Sequence, residues 1–134
     1  MPISIDEVKK YPQKTDEQRV REILEDEFGK SLPKKRISLG NLTHEFDLCS
    51  KDREIIGEIK SGKDLTPSGK KIKSYRFAEI CLDCLYLMSV ECKRKIMVLT
   101  NKEMYQVFRW MIEGLSIENV ETRLVELDNP QFGR

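Results

Sequence analysis

Between His44 and Lys60 the chain reads HEFDLCSKDREIIGEIK, two short runs of strand-forming residues about a polar centre. Successive side chains of a strand point to opposite faces. Glu45, Asp47 and Cys49 therefore share one side of a first strand and His44, Phe46 and Leu48 the other. On the second strand Glu54, Ile56, Glu58 and Lys60 fall on one face, with Ile55, Gly57 and Ile59 opposite. Ser50 to Arg53 has the composition and length of a hairpin loop, so the pattern predicts a β-hairpin that brings Asp47 across to the Glu58 side. Two carboxylates beside a lysine on otherwise apolar strands conflict with good β design, and such conflicts mark functional positions.

The chain of 134 residues is the size of one domain, with a core that needs no disulfide or metal staple. We expect a single domain over residues 1–134. Its 35% charged and 39% hydrophobic residues suit a small α/β protein with a highly charged surface. A net charge of +1 leaves any nucleic-acid surface to a local patch. No signal-peptide apolar region and no apolar run near membrane-spanning length is present, which predicts a cytoplasmic protein without a membrane partner and with reduced cysteines.

Residues 1–14 carry two prolines and little pattern. Thr15-Asp16-Glu17-Gln18 is a capping box opening a helix over Asp16 to Phe28, with Val20, Ile23, Leu24 and Phe28 as its apolar stripe and Gly29 as its stop. Glu17 and Glu27 lie on or beside that stripe. After the basic loop 30–36, Ile37 to Leu39 reads as a short strand and Gly40-Asn41 as the turn into a strand from Leu42 to Cys49. The hairpin follows, then a breaker-rich stretch over 61–69 and a helix from Lys70 to about Cys92, whose stripe is Phe77, Ile80, Cys81, Cys84, Leu85 and Met88. Lys95 to Leu99 is a buried strand. Asn101 or Thr100 caps a helix from Lys102 to Glu113, closed by Gly114, and Val120 to Leu127 is the last strand. A meander of three strands followed by helical crossovers implies a mixed central sheet flanked by helices on both faces.

Asp47 followed, after ten residues, by Glu58-Ile59-Lys60 resembles the signature of the PD-(D/E)XK nuclease superfamily. The resemblance implies a restriction-endonuclease-like α-β-β-β-α-β core over about residues 15–100, with the helix and strand of 101–127 as elaborations. Phe46 stands where the family usually has proline, which removes no ligand. By this similarity Asp47 and Glu58 bind Mg²⁺ or Mn²⁺, Lys60 positions the attacking water, and a first-helix glutamate completes the metal site. Glu17 precedes Val20, Ile23 and Leu24 at the family's spacing and is favoured over Glu27. The implied activity is a metal-dependent endonuclease cutting DNA, and a binding module of the same fold that has lost cleavage is the alternative. Mg²⁺ chemistry accommodates this donor set independently, because two acids and a carbonyl such as that of Ile59 leave room for waters. Downstream, Lys60, Lys63, Lys70, Lys71, Lys73 and Arg76 are opposed only by Asp64, a basic approach suited to phosphates or else a solvated face. Lys34, Lys35 and Arg36 form a second, weaker patch. Cutting both strands is easiest for a symmetric pair, which suggests a homodimer.

Cys81-x-x-Cys84 with Cys92 and Cys49 invites a zinc or iron–sulfur reading, but Cys81 and Cys84 sit in the apolar stripe, where core packing is the stronger expectation. His44 is the only histidine, so His-based catalytic or metal constellations are excluded and His44 is read as structural or at the sheet edge. Tyr75, Tyr105 and Trp110 could stack on bases but are expected in the core or at its rim.

Overall fold

The computed structural model describes residues 14–61 and 74–127. Helix α1 spans Asp16–Phe28 and is set by local signals. Thr15 Oγ1 accepts the Gln18 N–H at 3.1 Å while Gln18 Oε1 accepts the Thr15 N–H at 2.9 Å, so the capping box forms. Gly29 ends the helix at a φ of 65°, a left-handed conformation that glycine adopts without strain. Strands β1 (Lys35–Leu39) and β2 (Leu42–Phe46) pair as an antiparallel hairpin. A separate sheet has the order β3 (Leu48–Cys49), β4 (Ile55–Lys60), β5 (Arg94–Leu99) and β6 (Glu121–Leu124). Its β3–β4 pair is antiparallel and its other pairs are parallel, joined by α2 (Ser74–Ser89) and α3 (Lys102–Gly114). The protein is thus α/β, with one mixed sheet.

Two cores cover the two faces of that sheet. Val20 and Leu24 of α1 meet Leu48, Ile55, Ile59, Ile96 and Val98. On the other face Ile80, Cys84 and Leu87 of α2 and Met104, Phe108 and Ile112 of α3 meet Ile56, Met97 and Leu99. Central parallel strands buried on both sides must be apolar throughout, which is why KIMVL carries no alternation. Gly57 is required by this packing: a Cβ there would lie 2.8 Å from the Ile96 carbonyl oxygen and 3.1 Å from Leu48 Cδ1.

The strand expected over residues 42–49 is broken. Phe46 and Cys49 belong to the α2/α3 core while Leu48 belongs to the α1 core, so the alternation slips at Asp47 and Leu48 does not share a face with Phe46. Irregularities of this kind turn a strand and re-aim a side chain. The phase of α2 also differs from expectation. Ile80, Asp83, Cys84 and Leu87 face inward, whereas Leu85 is 58% exposed and Met88 41%. The helix carries apolar residues on most sides, so periodicity alone could not choose its buried face. The four cysteines are free thiols with separate neighbours, such as Met111 Sδ at 3.5 Å from Cys81 Sγ. Lys63, Lys70, Lys71 and Lys73 lie outside the described residues. Among the described residues no helix is long and apolar enough to cross a membrane.

Candidate active site

The break at Asp47 builds the site. Beyond Leu48 the β3–β4 ladder stops, and the Asp47 carboxylate takes the place of a strand partner by accepting the Ile59 N–H at 2.8 Å. Arg21 of α1 fixes the same corner, donating to the Asp47 carbonyl at 2.8 Å and to the Leu32 carbonyl at 3.0 Å. Glu17, one turn earlier on α1, is hydrogen-bonded to the Asp47 carboxyl. It is also ion-paired with Arg21 at 3.3 Å and Lys34 at 3.1 Å. Glu17 and Asp47 open onto a cleft of about 680 Å³ whose lining includes Ile59 and the cations Arg21, Lys34, Lys60 and Arg76. Arg76 is held there by the Ser61 carbonyl at 3.0 Å and Glu79 at 2.7 Å. Glu27 lies elsewhere, paired with Arg123.

Glu58 and Lys60 project from the opposite face of β4, toward α2. Glu58, buried, accepts the Asp47 backbone N–H and meets His44 Nε2 at 3.2 Å. His44 stacks on Tyr86 with ring centroids 3.8 Å apart and lies nearly perpendicular to Phe46 with centroids 4.7 Å apart. Lys60 is ion-paired with Asp83 of α2, a buried acid. Among the described residues, the trio whose ligand atoms lie within 4.8 Å of one another is His44, Glu58 and Asp83, and it could hold a metal ion. Glu17, Asp47 and Glu58 are not gathered that closely. Lys60 and the Asp47 backbone connect the cleft to this inner cluster.

Burial pushes the Asp47 carboxyl up to about 7, with the Glu17 charge adding to the rise and the Ile59 N–H opposing it. Burial would raise Glu17 as well, but its hydrogen bonds to Asp47 and Lys34 and the charges of Lys34 and Arg21 outweigh it and leave Glu17 lowered. The two acids therefore share one proton near neutral pH, carried on Asp47. Glu58 is pushed up to about 10, first by burial and then by the charges of Asp47 and Asp83. Burial lowers His44, whose imidazole is neutral. The His44–Glu58 contact is accordingly a hydrogen bond between neutral groups rather than an ion pair.

Three members of this arrangement were not expected. Arg21 stands four residues after Glu17, the spacing of neighbours on a helix face. Asp83 is an acid within an apolar helical run, the same signal that drew notice to Glu17. The expectation that a lone histidine excludes a His-based metal constellation is corrected by His44, which joins two carboxylates from β4 and α2 in a group that could hold an ion. No protein-family model, curated protein or solved structure matches the chain.

Proposed function

We propose that this protein is a Mg²⁺- or Mn²⁺-dependent endonuclease that hydrolyses DNA phosphodiester bonds. The observation that carries the reading is the cleft itself: two hydrogen-bonded carboxylates, Glu17 and Asp47, among four cationic side chains. Acids that would hold a divalent ion, surrounded by cations that would hold phosphates, are what phosphodiester hydrolysis requires. The donor set fits a hard cation. Burial raises both the half-buried Asp47, to about 7, and the buried Glu58, to about 10, and a divalent ion would take the place of the protons they carry. Glu17, Asp47 and the Ile59 carbonyl line the cleft and would hold it, Glu58 would join them only on turning away from His44, and the ion would supply a water of lowered pKa and positive charge at the scissile phosphate.

The remaining work falls to the chain. Arg21 fixes the Asp47 backbone and so the direction of its carboxylate. Lys34 and Arg76 flank the cleft as phosphate contacts. Lys60, once released from Asp83, orients the attacking water and places positive charge where charge develops on phosphorus. A binding module without cleavage is the second reading. It is favoured by the Lys60–Asp83 ion pair and by Glu58 pointing toward His44 rather than into the cleft.

Plasmid, branched and single-stranded DNA incubated with the pure protein and Mg²⁺ or Mn²⁺ separate the two. The nuclease reading expects cutting that Asp47→Ala, Glu58→Ala or Lys60→Ala lowers at least about a hundredfold. Cutting no greater than that of Glu58→Ala with either metal would leave only the binding module. A symmetric pair of chains, expected for cutting both strands, would appear as a dimer on DNA in sedimentation.

A further inference from the structure

We propose that His44, Glu58 and Asp83 form a second, inner cation site, selective for a transition-metal ion such as Zn²⁺ or Co²⁺ over Mg²⁺, for which the Lys60 ammonium now substitutes. The three residues come from β2, β4 and α2, and their ligand atoms lie within 4.8 Å of one another. His44 Nε2 and Glu58 Oε1 are 3.2 Å apart, close to the separation of about 3.3 Å between tetrahedral ligands at zinc bond lengths. An imidazole with two carboxylates suits zinc or cobalt, whereas magnesium prefers an all-oxygen shell rich in water.

Each ligand is already aimed. The imidazole ring is fixed by Tyr86 stacked on its face and by Phe46 packed nearly perpendicular to it. Glu58 is held by the Asp47 backbone N–H. Asp83 Oδ2 is buried with no directed hydrogen bond and is neutralised by contact with Lys60. Outer contacts of this kind orient metal ligands. The Lys60 ammonium sits on Asp83 Oδ2, so an ion that takes this oxygen displaces Lys60 toward the cleft that it also lines. The inner ion would thereby free the lysine that the cleft needs, although the site itself stands whether or not the protein cuts DNA.

Co²⁺ titration of the metal-free full chain, followed by calorimetry and by the visible d–d spectrum, tests this. One ion is expected to bind with a nitrogen- and oxygen-ligated spectrum that excess Mg²⁺ does not erase. His44→Gln should weaken it at least about tenfold, the loss that even an outer-shell change produces. Lys60→Met should tighten it, because the competing ammonium is gone, and this arm holds even if His44→Gln does not fold. Asp47→Asn should retain it while losing the Mg²⁺-dependent cleavage, which separates this site from the cleft. Unchanged affinity in a folded His44→Gln, weaker binding in Lys60→Met, loss of the ion in Asp47→Asn, or strong thiolate-to-cobalt absorption would each overturn the assignment.

Discussion

Glu58→Gln should stabilise the metal-free protein, and by an amount that grows with pH. The folded-state value of Glu58 is about 10 against an ordinary 4.5, so the folded protein holds this proton more tightly than the unfolded chain does. Its contribution is fully present below pH 4.5 and is lost as pH rises toward 10. At about 1.4 kcal/mol per pH unit, three units above the ordinary value, the loss at pH 7.5 is on the order of 4 kcal/mol. Glutamine mimics the protonated acid: it can accept the Asp47 N–H, hydrogen-bond His44 Nε2 and fill the same space, yet it has no charge to suppress on folding. Urea denaturation in EDTA at pH 5, 7.5 and 9 measures the difference. The variant should match the wild type near pH 5 and exceed it by several kcal/mol at pH 7.5 and above, and saturating Mn²⁺ should stabilise the wild type more than the variant. A variant less stable than wild type at every pH would refute the reasoning, because Glu58 would then be a satisfied structural carboxylate rather than an acid retained at the expense of stability.

Gly57→Ala should destabilise by about 1–3 kcal/mol at unchanged m-value, because its Cβ would press on the Ile96 carbonyl, part of the backbone. Leu87→Ala should cost about 2–5 kcal/mol while Leu85→Ala stays within about 0.5 kcal/mol, a pair read by urea melts that tests the phase of α2. If Lys34 contacts phosphate, Lys34→Ala should weaken binding of unrelated DNA sequences alike and reduce the slope of log affinity against log salt by about 0.9; an unchanged slope would restrict Lys34 to its pairing with Glu17.

Much of the chain is written in local terms. Thr15 and Gln18 cap α1 from three residues apart, Asn101 accepts the Glu103 and Met104 N–H groups at the start of α3, and Gly29 stops α1, all through contacts that any chain carrying those residues can make. The apolar run of β5 announces a strand buried on both faces. The spacing of Asp47, Glu58 and Lys60 marks the polar residues of the hairpin, but the two-residue period that puts Asp47 on the Glu58 side fails, because Asp47 turns to the α1 cleft while Glu58 faces His44. What they touch is not local. The alternation slips at Asp47 because β2 leaves to pair with β1 while the Asp47 side chain replaces a backbone partner of Ile59, a substitution with no sequence period. Asp83 reaches Lys60, and His44 reaches Glu58, only once α2 and β2 have closed on the same face of β4. Sequence by itself determined the helix caps, the doubly buried β5 and the carboxylate-lysine pattern, since these follow from neighbours along the chain. Tertiary structure decided which of those charges are paired, which retain a proton and which line the cleft, because burial and distance between remote segments set those energies.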